Sequence, residues 1–269
     1  MTVAVDHYAV FGNPIAHSMS PKIHTYFAKQ TGESMDYTTV LVPAGEFCKT
    51  ADEFFKNAKG CNITVPCKLD AFKYADELTP EAQAAGAVNT LKKLSDGKVI
   101  GHNTDGLGLV ADLKRQQVLL KDARILILGA GGAARGIIKP LLAEKPSSMT
   151  VVNRTIDKAA DLAQCFGIGH SSYTELSGNY DVIINATSSS LSASLPPLDC
   201  NILIQAYAVY DLMYSKDGTT IFTQKARELG CQVVSDGFGM LIMQAACSFS
   251  FWRGVEVDAE DAMRHFRAC

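Results

Sequence analysis

The sequence Ile125-Leu126-Ile127-Leu128-Gly129-Ala130-Gly131-Gly132-Ala133-Ala134-Arg135-Gly136 decides how the rest of the chain is interpreted. Four apolar residues run into a glycine cluster, and apolar residues then recur at helical spacing, which predicts a buried parallel strand, a tight turn and a helix. Gly129, Gly131 and Ala134 fit the dinucleotide pattern G-x-G-x-x-G/A, in which the helix N-terminus favours a phosphate. Alone the motif is weak evidence, because a glycine-rich turn that binds nothing has the same pattern.

The residues after the next predicted strand indicate which dinucleotide would bind. Strand 149–152 ends at Asn153-Arg154-Thr155, and Lys158 follows one helical turn later. A site for NAD has an acidic residue at about this position, which binds the ribose 2′-hydroxyl. Here no carboxylate is present to repel a 2′-phosphate, and two cations are available to bind it. The pattern favours NADP, and its alternative is a solvated Arg and Lys on a helix.

The composition excludes several classes of protein. Of 269 residues 47% are hydrophobic and the formal net charge is −3, which argues against a basic nucleic-acid footprint over the whole molecule. No run of about eighteen apolar residues predicts a membrane span, and the N-terminus lacks a cationic, apolar signal. The eight cysteines form no C-x-x-C pair and the six histidines are dispersed, so we expect free thiols, no metal site and a cytoplasmic location.

Strands and helices also alternate before the glycine motif. Segments 8–12, 37–42 and 61–65 are predicted strands, and a helical spacing of apolar residues lies between the second and the third. This alternation predicts an α/β domain with a largely parallel sheet. Two further segments, 85–91 and 99–101, flank a turn at Asp96-Gly97 and predict a hairpin-like pair.

Two serines precede the first predicted helix. Ser20 is a candidate N-cap with Pro21 at the first helical position, and capping alone would explain Ser20. Ser18 has no comparable local role. Two hydroxyls beside a helix N-terminus also suit a carboxylate ligand.

Three other polar residues stand at positions that indicate chemistry. Lys68 falls in a first helical turn if Pro66 opens that helix, where a cation opposes the helix dipole; it is either functional or a solvated surface lysine. Asp105 is a candidate helix N-cap at the boundary between two α/β units, where a carboxylate is also well placed to face a cleft. Gln244 on an apolar helix needs a partner, either a backbone group or a ligand hydroxyl.

Nine ordered motifs give the chain a family resemblance. They are S-M-S-P at 18–21, N-I-T-V-P-C-K at 62–68, A-G-A-V-N-T at 85–90, N-T-D-G at 103–106, G-A-G-G-A at 129–133, N-R-T at 153–155, N-A-T-S at 185–188, Y-D-L-M-Y at 210–214 and D-G-F-G-M at 236–240, continuing to Gln244. With these motifs the chain resembles the shikimate dehydrogenase family from end to end. Each motif is weak by itself, but the ordered set is specific.

The resemblance implies an activity and an architecture. The activity is the NADP-dependent, reversible reduction of 3-dehydroshikimate to shikimate, a step towards chorismate and the aromatic amino acids. The architecture is an α/β fold of two domains separated by a cleft. Residues 1–104, completed by C-terminal helices 238–269, would form the substrate-binding and catalytic domain with a mainly parallel sheet, and residues 105–237 a Rossmann-type NADP-binding domain. We expect a monomer or homodimer with small-molecule ligands, and neither nucleic acid nor a membrane as a partner.

The resemblance also implies roles for individual residues. Lys68 would be the catalytic acid/base with Asp105 as its partner. The substrate's carboxylate, hydroxyls and ring would be held by Ser18, Ser20, Thr64, Lys68, Asn89, Asp105, Tyr214 and Gln244. The cofactor would be bound by Gly129, Ala130, Gly131, Gly132, Ala133, Asn153, Arg154, Thr155, Lys158, Thr187, Met213 and Gly237.

Two departures from the family pattern and two alternative functions accompany this interpretation. Ser190 replaces a family glycine, which puts the local turn in doubt, and His102 stands where the family often has an acid. A broader quinate/shikimate dehydrogenase tends to use NAD and to carry an acid after the second Rossmann strand, which Asn153-Arg154-Thr155 lacks. A non-catalytic NADP-binding paralogue is the other alternative, and the retention of Lys68 with Asp105 argues against it.

Overall fold

The computed structural model describes residues 5–192 and 194–267, and they fold into two compact units. The first unit comprises the chain up to Gly108 and again from Ile242, and the second comprises Leu109–Leu241. Two helices, α5 (Asp105–Arg115) and α10 (Phe238–Arg253), run across these boundaries. The boundaries therefore fall inside helices, four residues later than those proposed from the sequence.

The first unit is a mixed sheet with helices in its connections. Its elements are β1 (Asp6–Gly12), α1 (Ser20–Thr31), β2 (Met35–Leu41), α2 (Phe47–Phe54), β3 (Ala58–Ile63), α3 (Lys68–Tyr74), β4 (Glu77–Leu78), α4 (Pro80–Ala85), β5 (Thr90–Lys93), β6 (Val99–His102) and, after the second unit, α11 (Ala259–Arg267). The strand order is β2-β1-β3-β5-β6-β4. Strand β1 pairs in parallel with β2 and β3, whereas β5 is antiparallel to β3 and β6. The β5–β6 pair is the predicted hairpin.

The second unit is a fully parallel, doubly wound sheet. Its elements are β7 (Arg124–Leu128), α6 (Gly132–Ala143), β8 (Ser148–Val152), α7 (Ile156–Phe166), β9 (Gly169–Ser171), β10 (Val182–Asn185), α8 (Cys200–Leu203), β11 (Ala208–Asp211), α9 (Ile221–Glu228) and β12 (Val233–Ser235). The order β9-β8-β7-β10-β11-β12 reverses direction beside β7, and ligands bind at the C-terminal strand ends of such a switch point. The predicted α/β class with mainly parallel sheets is confirmed.

The central strands of the second unit are buried on both faces, as a parallel sheet requires. Ile125 and Ile127 belong to one apolar cluster, whereas Leu126 and Leu128 belong to another on the opposite face. All four side chains are fully buried. This alternation explains why the sequence there is continuously apolar and why β7 fixes the position of the glycine loop that follows it.

Two helix starts differ from the sequence prediction. Ser20 is the first residue of α1 and Met19 is its N-cap, so the prediction of Ser20 as the cap is wrong by one residue. Asp105 is likewise the first residue of α5 rather than its cap, and its N–H donates a hydrogen bond to the side-chain oxygen of Asn103 at 3.1 Å. Asp258, directly before the last helix α11, accepts a hydrogen bond from the Asp261 N–H at 2.9 Å, as an N-cap side chain does.

The remaining sequence-level expectations concern cysteines, metals and membranes. Seven cysteines lie in the described part of the chain and all are free thiols, while Cys269 lies outside it. Within residues 5–192 and 194–267 no cluster of His, Cys, Asp and Glu could hold a metal ion. Over the same residues, no helix combines the length and the apolarity that crossing a bilayer demands.

Candidate active site

Lys68 and Asp105 form an ion pair in the first unit. The turn that follows β3 places Lys68 as the first residue of α3, and the end of β6 delivers Asp105 to the start of α5. Lys68 Nζ lies 2.5 Å from Asp105 Oδ2, with 30% of the lysine and 17% of the aspartate side chain exposed. The pair is therefore held in place yet accessible to a ligand. Lys68 is paired and partly buried, which does not fit the alternative of a solvated surface lysine.

Asn89 fixes the second oxygen of the Asp105 carboxylate. Its amide nitrogen donates to Asp105 Oδ1 at 2.8 Å and to the Thr104 hydroxyl at 2.9 Å. Its amide oxygen accepts from the Thr104 backbone N–H at 2.9 Å. Since both amide protons are used within the protein, Asn89 orients the carboxylate directly, and contact with a ligand would have to replace one of these bonds.

A buried polar network lies behind the pair and was not predicted from the sequence. Ser248 of α10 is fully buried, and its hydroxyl bonds to Thr90 at 2.8 Å, to Thr104 at 3.1 Å and to the Asn62 amide at 3.0 Å. Such a network is satisfied only when all members are in place, so it makes the position of Asn89 and Thr104 specific. The only sequence signal was a serine on a strongly apolar helix, four residues after Gln244.

Gln244 lies beside this network, and its close approach to α5 depends on a glycine. The Thr104 hydroxyl is 3.4 Å from Gln244 Oε1. A Cβ added to Gly108 of α5 would lie 2.6 Å from the Gln244 backbone nitrogen, so only glycine permits this approach of α5 to α10. Gln244 therefore has a protein partner and shares that partner, Thr104, with Asn89.

The Ser18 hydroxyl has a local role that the sequence did not indicate. The Ser18 hydroxyl accepts the backbone N–H of Ser20 at 3.3 Å, so the expectation that Ser18 lacks a local role is wrong. Thr64, directly after β3, donates its N–H to Phe11 O at 2.9 Å and lies four residues before Lys68. Ser18, Ser20 and Thr64 are each partly exposed, as a ligand-binding role requires.

Tyr214 belongs to the second unit, unlike the other predicted substrate residues. Its side chain is 43% exposed, and its ring centroid lies 6.5 Å from that of Phe238. Burial of part of the ring, together with the charge of Asp236, raises the pKa of the Tyr214 hydroxyl. The hydroxyl is thus a hydrogen-bond donor at neutral pH.

The glycine loop opens a pocket of about 620 Å³ at the C-terminal end of the second sheet. Gly129 has φ +102°, a left-handed conformation that favours glycine, and its turn leads to α6, which begins at Gly132. A Cβ added at Gly131 or Gly132 would meet no atom within 4 Å, so the loop backbone faces open space. This combination suits a pyrophosphate, because the free N–H groups of the helix N-terminus can reach it.

The same pocket contains the residues predicted to select NADP. Its lining includes Asn153, Arg154, Thr155, Lys158 and Thr187. Among the described residues, no Asp or Glu lines the pocket. The pocket therefore offers no carboxylate to bind a ribose 2′-hydroxyl, as an NAD site does, and none to repel a 2′-phosphate. The donor set therefore fits NADP.

Asn153 and the Ser190 loop shape two sides of this pocket. The Asn153 amide donates to Thr155 O at 2.9 Å and so holds the turn that carries Arg154. Ser190 lies in a 3-10 turn, Ser189–Ser192, and does not need the left-handed conformation that only glycine adopts easily. The Ser190 hydroxyl instead donates to Asp211 Oδ2 at 2.6 Å. Ser190 therefore occupies a regular turn and adds a side-chain hydrogen bond to it.

Met213 and Gly237 are brought together, but they do not belong to the lining of the glycine-loop pocket. Met213 follows β11 and Gly237 follows β12. The Gly237 N–H donates to Met213 O at 2.9 Å. The backbone carbonyl of Leu212 approaches Gly237 so closely that a Cβ at this position would clash with it, which explains why the residue is glycine.

His102, the other departure from the family pattern, has a structural environment. Its ring is buried, 4.7 Å from the ring of Phe251, and its Nδ1 lies 2.8 Å from the Thr79 hydroxyl. Burial lowers the pKa of His102, and Glu81 opposes this shift. A neutral histidine packed in this way takes no direct part in the Lys68–Asp105 pair.

Comparisons with known proteins match nearly the whole chain. The family model described as the shikimate dehydrogenase substrate binding domain matches residues 10–91, and the model described as shikimate / quinate 5-dehydrogenase matches residues 112–194. The curated shikimate dehydrogenase (NADP(+)) of Vibrio cholerae serotype O1 is 52% identical over 272 residues, covering 99% of this chain and 98% of the relative.

Two solved structures are similar along nearly their full length. An Ael1 enzyme from Pseudomonas putida superposes with a TM-score of 0.93 at 40% identity, covering 97% of this chain and 98% of that one. Shikimate 5-dehydrogenase from Thermus thermophilus, in complex with NADP(H) and shikimate, superposes with a TM-score of 0.89 at 31% identity, covering 98% of this chain and 99% of that one.

Proposed function

The chain belongs to the shikimate dehydrogenase family, and on that premise we propose that its Lys68–Asp105 pair carries the proton transfer of the family's reaction. The chain is an NADP-dependent oxidoreductase that acts on a CH–OH group, interconverting shikimate and 3-dehydroshikimate on the way to chorismate and the aromatic amino acids. The observation that carries the proposal is the 2.5 Å contact between Lys68 Nζ and Asp105 Oδ2.

The chemistry of the pair follows from the charge that develops on the substrate. When bound, NADPH supplies the hydride that reduces the ketone, and NADP⁺ accepts it in the reverse direction. Negative charge then grows on the carbonyl oxygen, where the Lys68 ammonium stabilises it and donates the proton. Asp105 holds the ammonium in one orientation, and Asn89 holds Asp105. In the oxidation of shikimate, Lys68 accepts the hydroxyl proton instead.

We propose that the substrate is held mainly by residues of the first unit. Ser18 and Ser20, beside the N-terminus of α1, would bind the carboxylate, because hydroxyls and helix N-termini both favour an anion. Thr64 and Gln244 would bind ring hydroxyls, and Asn89 would do so if it exchanged one of its internal bonds. Tyr214, with its protonated hydroxyl, would contribute from the second unit.

We propose that the second unit binds NADP through the glycine-loop pocket. The backbone from Gly129 to Ala133 would bind the pyrophosphate, and Arg154 with Lys158 would neutralise the 2′-phosphate. Thr187 would contact the cofactor from the facing loop. Met213 and Gly237, which bond to each other, would lie beside the nicotinamide. In this proposal the first unit is the substrate-binding and catalytic domain, and the second is the cofactor domain.

A cytoplasmic location and a monomeric or homodimeric state complete the proposal. Both agree with a biosynthetic enzyme of small-molecule substrates. Size-exclusion chromatography with light scattering of the purified chain measures the second; a stable trimer or tetramer would contradict it.

Steady-state kinetics with two substrates and two cofactors test the function. We expect the purified chain to reduce NADP⁺ with shikimate, and kcat/KM to be lower with NAD⁺ and lower with quinate. A preference for NAD⁺ with quinate would support the broader quinate/shikimate enzyme instead. No turnover with any of the four pairs, together with normal NADPH binding, would support a non-catalytic paralogue.

A further inference from the structure

Tyr173 lies in the turn after β9 and lines the glycine-loop pocket, although no motif drew attention to it. The turn is fixed by Ser172, whose hydroxyl accepts the Glu175 backbone N–H at 3.2 Å and donates to the Glu175 carboxylate at 2.9 Å. The ring is half-buried and packs against the apolar cluster on one face of the second sheet, as Leu176 also does. The position of Tyr173 in the pocket wall is therefore set by both the turn and the core.

The hydroxyl of Tyr173 has an unusual combination of properties. In the described part of the chain it has no hydrogen-bond partner, whereas the buried Tyr210 and Tyr37 hydroxyls donate to Asp112 and Asn62. Burial raises the pKa of Tyr173 to about 12, and the charge of Arg154 opposes the shift. At neutral pH the hydroxyl is thus protonated and can donate a hydrogen bond. It also lies close enough to Arg154 for that charge to affect its pKa.

We propose that Tyr173 is a further residue of the 2′-phosphate site, where its hydroxyl donates a hydrogen bond to the phosphate that Arg154 and Lys158 neutralise. The inference rests on the proposed function, since that function supplies the phosphate. A neutral donor beside two cations suits a doubly charged group, because the phosphate has three acceptor oxygens and two cations do not saturate them. The 2′-phosphate is the group that distinguishes NADP from NAD, so Tyr173 contributes to cofactor specificity.

Calorimetric titration of the full-length chain with two adenine nucleotides tests the role without turnover. The probes are 2′,5′-ADP, which carries the phosphate in question, and 5′-AMP, which lacks it. We expect Tyr173→Phe to raise the Kd for 2′,5′-ADP by roughly 10-fold, the scale for one hydrogen bond to a charged group, and to leave the Kd for 5′-AMP unchanged. The ring is kept in this variant, so its packing against the core is preserved.

Two further variants make the outcome specific. Tyr207 lies just before β11, at the end of the strands opposite the pocket. The variant Tyr207→Phe, which also removes a phenol hydroxyl, should bind both nucleotides as the unsubstituted chain does. Arg154→Ala should weaken 2′,5′-ADP binding more than Tyr173→Phe does, because it removes a charge as well as donors.

The possible results separate this inference from the function on which it rests. If the unsubstituted chain does not prefer 2′,5′-ADP to 5′-AMP, the 2′-phosphate site itself is wrong, and the role of Tyr173 falls with it. If Arg154→Ala abolishes the preference but Tyr173→Phe retains it, only the role of Tyr173 is overturned. A loss of affinity for both nucleotides in Tyr173→Phe would also overturn it, because the hydroxyl would then serve the adenosine part instead.

Discussion

Lys68 Nζ and Asp105 Oδ2 lie 2.5 Å apart, although the two residues are separated by 37 positions in the chain and begin different helices. Each is therefore delivered by the end of a strand, β3 for the lysine and β6 for the aspartate. The carboxylate is held on its other side by Asn89, so the lysine is the member of the pair with freedom to engage a ligand. This arrangement makes the lysine the group whose loss should affect chemistry most.

We expect Lys68→Ala to lower kcat by at least about 100-fold, which is the usual scale for the loss of a general acid/base. Shikimate should still bind, because the proposed carboxylate ligands Ser18 and Ser20 are unchanged. Turnover at saturating substrate and cofactor gives kcat, and calorimetric titration gives the shikimate Kd. Lys73→Ala, on the exposed face of the same helix α3, is the matched control and should retain normal activity. Near-normal turnover of Lys68→Ala would remove the lysine from the mechanism.

The parts of the fold that the sequence predicted are those encoded by neighbouring residues. The run from Ile125 to Gly136 predicted the strand, the turn and the helix in the right order, because burial on both faces and the glycine turn are local requirements. The helix starts at Ser20 and Asp105 were wrong by one residue, since each is the first residue of its helix rather than the cap. Before α5 it is the Asn103 side chain that accepts the Asp105 N–H. Helix boundaries depend on which of several adjacent polar side chains turns inward.

The parts of the candidate site that the sequence did not predict depend on contacts between distant segments. Thr104 and Ser248 bond across 144 positions, and nothing near either residue indicates the other. Tyr173 lies in an irregular turn, where its only local signal is the serine before it. The roles assigned through the family resemblance stay predictions, and the contacts of Asn89 show why geometry is needed to state them more sharply.

We expect Arg154→Ala to raise KM for NADP⁺ by roughly 10-fold or more, because charge-assisted bonds to a phosphate contribute about 1.5–3 kcal/mol. KM for shikimate should change little. Initial rates with each ligand varied in turn give both constants. Arg124→Ala removes an arginine at the start of β7, where it pairs with Asp181 at 2.7 Å, and should leave both values near normal. An equal rise in the two KM values of Arg154→Ala would count against the 2′-phosphate site.

The stability of the chain should fall as the pH is lowered, because of His24. The residue is fully buried and stacks on Tyr37 with ring centroids 4.4 Å apart, and neither ring nitrogen has a hydrogen-bond partner in the described part of the chain. Burial lowers the pKa of His24 to about 3, which nearby Asn62 offsets only in part. The unfolded chain, with an ordinary pKa near 6.5, binds a proton that the folded chain does not. The contribution of His24 to stability is therefore complete above pH 6.5 and is lost progressively as the pH falls towards 3.

The variant His24→Phe isolates this contribution, since it keeps an aromatic ring and removes the proton. Between pH 6.5 and 4.5 the unsubstituted chain should lose roughly 2–3 kcal/mol more of its free energy of unfolding than the variant, at about 1.4 kcal/mol per pH unit. Urea unfolding at a series of pH values measures the difference. Parallel pH profiles for the two proteins would show that His24 is not the titrating group.

Ser190 should matter for cofactor binding although the family has glycine there. Its hydroxyl donates to Asp211, a fully buried carboxylate. Burial raises the pKa of Asp211, and the hydrogen bonds from Ser190 and Thr220 oppose this shift in part. The bond ties the 3-10 turn Ser189–Ser192, next to the pocket lining, to the end of β11. We expect Ser190→Ala to raise the Kd for NADPH about 3- to 10-fold, as one lost bond to a charged group implies, and to leave the shikimate Kd unchanged.

Two companion variants show whether the hydroxyl of Ser190 is the group responsible. Ser190→Thr retains a hydroxyl and should restore affinity, whereas Ser147→Ala, at an exposed site before β8, removes an unrelated hydroxyl and should bind NADPH normally. Fluorescence titration with NADPH of these proteins, Ser190→Ala and the unsubstituted chain measures the effect. A Ser190→Ala variant with unchanged affinity would show that the turn holds its position without the bond to Asp211, because the regular 3-10 conformation would then suffice.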